Sequence, residues 1–134
     1  MKYRLYVSGY CSDSRALQSN MSIGGVILSS DTEKEFSEIV GKGTLLESHV
    51  YAIIYGIDEI LKNNKVTSIE VYSTNLMIIN YINNMNIEIP INAKLIMKKL
   101  VKLIKDIEVD IKFEYFEGTE YKYVKNLAID ALEV

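Results

Sequence analysis

The sequence contains no tryptophan, one cysteine, one proline and one histidine in 134 residues. Cys11 has no second cysteine to pair with, so no internal disulfide forms and a reducing cytoplasm is the expected compartment. Nor is there a second cysteine or histidine from which to build a familiar nucleophile or ligand site around it, and Cys11 reads as a plain loop thiol. No apolar run is long enough to span a bilayer. The chain opens directly in an alternating strand pattern, so neither a membrane segment nor a signal peptide is expected. An excess of basic residues is also missing. Fifteen Lys and Arg face eighteen Asp and Glu, for a net charge of −3 and a pI near 5.2. Binding to nucleic acid gains affinity by neutralising phosphates, so here it would need a local patch.

Hydrophobic residues are plentiful, at 49% of the chain. That fraction excludes disorder and is enough for one real core. No repeat, low-complexity tract or linker divides the chain, so residues 1–134 are expected to form a single domain. Lys2 to Ser8 alternates in character and reads as a strand. Gly9 to Asn20 has turn composition and reads as a polar loop. Met21 to Leu28 and Lys34 to Val40 read as two further strands around a turn at 29–32. Gly24-Gly25 marks a bulge or a close backbone approach. The period then changes. Thr44-Leu45-Leu46-Glu47 has the form of a capping box, and Val50, Ile53, Ile54, Ile57, Ile60 and Leu61 follow at helical spacing, ended by Asn63-Asn64. A fourth strand spans Thr67 to Ser73. Ser73 or Thr74 then caps a short helix over Asn75 to Ile82. A polar link from Asn83 to Asn92 leads to a helix from about Ala93 to Lys105. A fifth strand spans Glu108 to Phe116, and after Gly118 a last helix covers about Tyr121 to Leu132. This order predicts an α/β fold: a mixed five-stranded sheet, made of a three-strand antiparallel meander plus two parallel strands, with helices on both faces.

Five local sequences in this order resemble the type 1 ribonuclease H family. Ser8-Gly9-Tyr10-Cys11 is similar to the Asp-Gly that ends the family's first strand. Gly24-Gly25-Val26-Ile27-Leu28 resembles its second strand. Ser48-His49-Val50-Tyr51-Ala52-Ile53-Ile54-Tyr55-Gly56-Ile57 resembles the Ala-Glu-Tyr-x-Ala-Leu-Ile-x-Gly-Leu of its first long helix. Ile69-Glu70-Val71-Tyr72-Ser73-Thr74 resembles Val-Glu-Val-x-Ser-Asp, and Asn126-Leu127-Ala128 sits in a final helix similar to Asn-x-x-Ala-Asp-x-Leu-Ala. The resemblance implies a ribonuclease H-like fold over the whole chain. It also implies four metal-binding acids, and their aligned positions hold Ser8, His49, Thr74 and Lys125 instead.

Two Mg²⁺ ions about 4 Å apart repel strongly, and bridging carboxylates must offset that repulsion. Hydroxyls are weak Mg²⁺ ligands, imidazole suits softer metals, and an ammonium repels the ion. The formal charge differs from four acids by about five units, each unit pair at 4 Å being worth roughly 4 kcal/mol at an effective dielectric of 20. No catalytic residue and no cofactor are therefore expected, Mg²⁺ entering only if other acids have taken over. Glu47, Glu70, Asp13 and Asp130 are the acids to examine for that. Glu47 lies well around the helix from His49 and suits the capping box, while Glu70 is about 13 Å along the strand from Thr74.

Where family members read a hybrid with an Asn pair behind a threonine, this chain keeps Thr44 but has Leu45-Leu46. His49 reads as a hydrogen-bonded structural histidine, with a general base or a pH-sensitive contact as the alternatives. Lys94, Lys98, Lys102 and Lys105, with Lys99 beside them, make a stripe that is either the solvated face of an amphipathic helix or a nucleic-acid track. Thr44, Lys94, Lys98, Lys102 and Lys125 are the candidates for nucleic-acid or anion contact. Three functions follow. The first is a catalytically inactive ribonuclease H-like protein acting as an interaction or scaffold module, with an unknown protein partner or a homodimer. The second is a non-cleaving binder of RNA–DNA hybrid or of structured nucleic acid. The third is a nuclease with relocated acids.

Overall fold

A computed structural model describes residues 1–63, 65–84 and 88–133. Its strands are β1 (Lys2–Cys11), β2 (Ser19–Leu28), β3 (Glu33–Gly43), β4 (Ser68–Ser73) and β5 (Asp110–Tyr115). Its helices are α1 (Leu45–Leu61), α2 (Leu76–Asn84), α3 (Lys94–Asp106) and α4 (Glu120–Glu133), with a 3-10 turn at Ile91–Ala93 before α3. The strands form one sheet in the order β3-β2-β1-β4-β5, antiparallel across the first three and parallel from β1 through β4 to β5. This is the mixed sheet expected from the order of elements.

Side chains alternate across β1, and each set meets a different helix. Leu5 and Val7 are fully buried beneath α1, where Gly56 is so close to Leu5 that a Cβ there would clash with it. Ile53, Ile57 and Ile60 complete that layer, each burial contributing about 1.5–3 kcal/mol. On the opposite face α4 packs against β1, β2 and β3. Gly24 makes this possible, because a Cβ there would collide with the backbone of Leu127 and Ala128. The Ser22 and Ser37 hydroxyls donate to the Ala128 and Leu127 carbonyls and fix the helix in place. The paired glycines thus mark a close approach. The irregularity in the β2–β3 ladder lies elsewhere, between Met21 and Ser22 opposite Gly41, whose φ is +109°.

Three local expectations are corrected. Gly9, Tyr10 and Cys11 are not loop: they extend β1, with Tyr10 paired to Ser22 and Cys11 to Met21. Cys11 is therefore a buried strand residue. The first helical turn of α2 is capped by neither Ser73 nor Thr74. Asn75 accepts the Ile78 N–H at 3.0 Å, while the Ser73 hydroxyl accepts the Asn75 N–H at 3.0 Å. The expected polar link from Asn83 also starts too early, since α2 runs to Asn84. Residues 85–87 of that link, and Asn64 of the pair expected to end α1, lie outside the described residues.

Candidate functional site: a cleft of neutral, mutually bonded groups

Strand β4 ends beside Val7 of the parallel strand β1, with the Thr74 N–H donating to the Val7 carbonyl at 3.3 Å. The start of α1 comes down onto this end of the sheet. Its register is set by the capping box: Thr44 Oγ1 accepts the Glu47 N–H at 3.2 Å, and Glu47 Oε1 accepts the Thr44 N–H at 3.0 Å. Gly9 is the contact point, since a Cβ there would strike the backbone at Ser48 and His49.

The structure brings Ser8, Thr74 and His49 together here, and each is buried. The Ser8 and Thr74 hydroxyls bond to each other at 2.9 Å. His49 Nδ1 accepts the Gly9 N–H at 3.1 Å, so the neutral ring carries its proton on Nε2. Burial, and then the positive charge of Lys125, push the His49 pKa down to about 4. Protonation would also set an Nδ1–H against the Gly9 N–H. Near neutral pH the ring is uncharged. Lys125 stands at the exposed margin on α4, its ammonium 5.9 Å from the centre of the Tyr121 ring.

This donor set does not fit a pair of magnesium ions. The two hydroxyls are engaged with each other, the imidazole lone pair is taken by a backbone N–H, and the remaining group is a cation. The acids named as replacements are placed elsewhere. Glu47 is held by Thr44, Glu70 is ion-paired to Lys2 at 3.4 Å, Asp13 bonds the Arg15 N–H at 3.0 Å within its own loop, and Asp130 is exposed on α4. Among the described residues no group of three or more His, Cys, Asp or Glu is placed to hold a metal ion.

The candidate contact residues divide. Thr44 is half-buried, and its hydroxyl also donates to Glu47 Oε1 at 3.1 Å, which puts a carboxylate where a phosphate contact was expected. Leu46 packs against the core, so at least this leucine turns inward. Lys94, Lys98 and Lys102 are exposed on α3, which packs on α1, whereas Lys125 is on α4 across the sheet. Sequence reasoning missed the Gly9 N–H as the partner of His49. A glycine directly after the first of the four positions was visible, but its closeness to the helix was not.

No family model matches the sequence, and a search of curated proteins finds no match. Solved structures do match over nearly the full length of both chains. RNase H1 from the halophilic archaeon Halobacterium salinarum superposes with a TM-score of 0.82 at 16% identity, covering 99% of this chain and 98% of that one. The fold is that of type 1 ribonuclease H. The N-terminal RNase H domain of a Mycobacterium tuberculosis protein gives a TM-score of 0.79 at 18% identity, covering 98% of each chain. LC11-RNase H1, solved in complex with RNA/DNA hybrid, gives 0.80 at 17% identity over 98% of this chain and 96% of that chain. Ser8, His49 and Thr74, three of the positions that the aligned motifs singled out, are buried neighbours in this structure. Among the described residues no helix is long and apolar enough to cross a membrane.

Proposed function

We propose that this chain is a catalytically inactive ribonuclease H-like domain that works as a protein-interaction or scaffold module. The observation that carries the reading is the 2.9 Å bond between the Ser8 and Thr74 hydroxyls beside a neutral, buried His49. Phosphodiester hydrolysis in this fold needs a concentrated negative charge to hold two divalent ions and activate water. The cleft offers neutral groups already bonded to protein and a nearby ammonium. Retaining the fold without that charge leaves its surfaces as the part available for work.

A second reading, a non-cleaving hybrid binder, draws on the exposed lysines of α3 and on the hybrid-bound LC11-RNase H1. It is weaker because Glu47 occupies Thr44 and because the chain carries a net charge of −3. One pair of measurements separates the readings. A fluorescence-quenched RNA–DNA hybrid is incubated with the protein in Mg²⁺ and in Mn²⁺, and its binding is followed at about 50 and 200 mM salt. The expected result is no cleavage above a protein-free blank and no saturable binding. Salt-dependent binding without cleavage favours the second reading, and metal-dependent cleavage overturns both.

A further inference from the structure

A groove of about 940 Å³ opens between α2 and α3, and its walls differ in chemistry. The floor is apolar, built from Met77 and Tyr81 of α2, Ile89 of the connecting segment, and Met97 and Val101 of α3. Lys94, Lys98, Lys102 and Lys105 line its rim together with two acids, Glu88 and Asp106, so the rim carries a net positive charge. The lysines' spacing of four, four and three residues keeps them along one side of the helix. All four lysines are exposed, and among the described residues none is in an ion pair. The helix carries five lysines and one acid, Asp106, in a chain whose net charge is −3. The charge of this region is thus opposite to that of the molecule.

We propose that this groove docks an acidic amphipathic helix of a partner protein. Its apolar stripe would lie on Met77, Tyr81 and Met97, and its flanking carboxylates would meet the lysines. From Lys94 to Lys105 the helix rises roughly 16 Å, which matches about three turns of a docked helix. Helix-in-groove recognition uses both features of the site at once, the apolar floor for affinity and the charged rim for orientation. A nucleic-acid backbone would use the lysines but leave the apolar floor without a complement. A second copy of this chain is a poor occupant, because α4 mixes Glu120, Asp130 and Glu133 with Lys122 and Lys125 rather than presenting an acidic face. The inference deepens the interaction-module reading and rests on it.

The test uses the full chain and a fluorescein-labelled peptide of about 18 residues, with Leu at i, i+3, i+4 and i+7 and Glu on both flanks. A scrambled peptide of the same composition is the control. Anisotropy is expected to show saturable binding to the ordered peptide alone, weakened at least about tenfold by Lys98→Glu/Lys102→Glu and by Met77→Asp. Both variants change exposed positions, and thermal melts verify that they fold. No saturable binding, equal binding of the scramble, or binding indifferent to these variants overturns the proposal. So does an RNA–DNA hybrid that binds through Lys98 and Lys102, or self-association in sedimentation that Lys98→Glu abolishes. The nuclease assay stays independent: a peptide that fails to bind while the protein cleaves nothing sinks the groove alone.

Discussion

Two regions of this molecule use their polar groups in opposite ways. Where β4 ends beside β1, Ser8, Thr74 and His49 are buried and bonded within the protein. Between α2 and α3, the lysines are exposed around an apolar floor. A polar group already bonded inside a protein has little to offer a ligand, because binding must first break the existing bond. Exposed lysines above apolar side chains have their interactions still to make. Of the two regions, the residues with unused binding capacity lie in the groove.

The largest effect should come from placing the same kind of charge in each region. Ser8→Asp buries a carboxylate with no cation bonded to it and is expected to lower stability by about 3–5 kcal/mol at neutral pH. Lys98→Glu, a larger formal change at an exposed site, should stay within about 0.5 kcal/mol. Urea denaturation of both variants checks the contrast, and similar losses in the two regions would erase it.

A smaller effect concerns pH. His49 has a folded pKa of about 4 against 6.5 for the unconstrained side chain. The unfolded chain therefore takes up the proton first as pH falls. The stabilisation from the neutral ring is complete above about pH 6.5 and is lost as pH drops toward 4, a change of about 3 kcal/mol. The difference between the wild type and His49→Gln isolates this from the carboxylates, which titrate in both. A wild type whose stability tracks that of His49→Gln between pH 6.5 and 4 would mean that the ring is not held neutral by its surroundings.

Much of the fold could be read in the sequence because its signals are local. The Thr44–Glu47 capping box and the isoleucine spacing of α1 each lie within a few residues, and the paired glycines of β2 mark the approach of α4. Motif order singled out Ser8, His49, Thr74 and Lys125, of which the first three are buried and Lys125 is exposed on α4. What was not legible depends on partners far apart in the chain. Ser8 and Thr74 are 66 residues apart, and only the parallel pairing of β1 with β4 brings their hydroxyls together. Gly9 and Cys11 looked like loop because glycine and serine blur the alternation, while their pairing with β2 keeps them in the strand. The lysine stripe was visible, but the groove it lines requires Met77 and Tyr81 from a different helix.

The central claim is that the cleft has no ligands left for paired divalent cations, and isothermal calorimetry of Mn²⁺ into the protein at neutral pH tests it most directly. The account predicts heats indistinguishable from dilution, in wild type and in Ser8→Ala/Thr74→Ala alike. Saturable binding of two Mn²⁺ per chain, abolished by that double substitution, would contradict it.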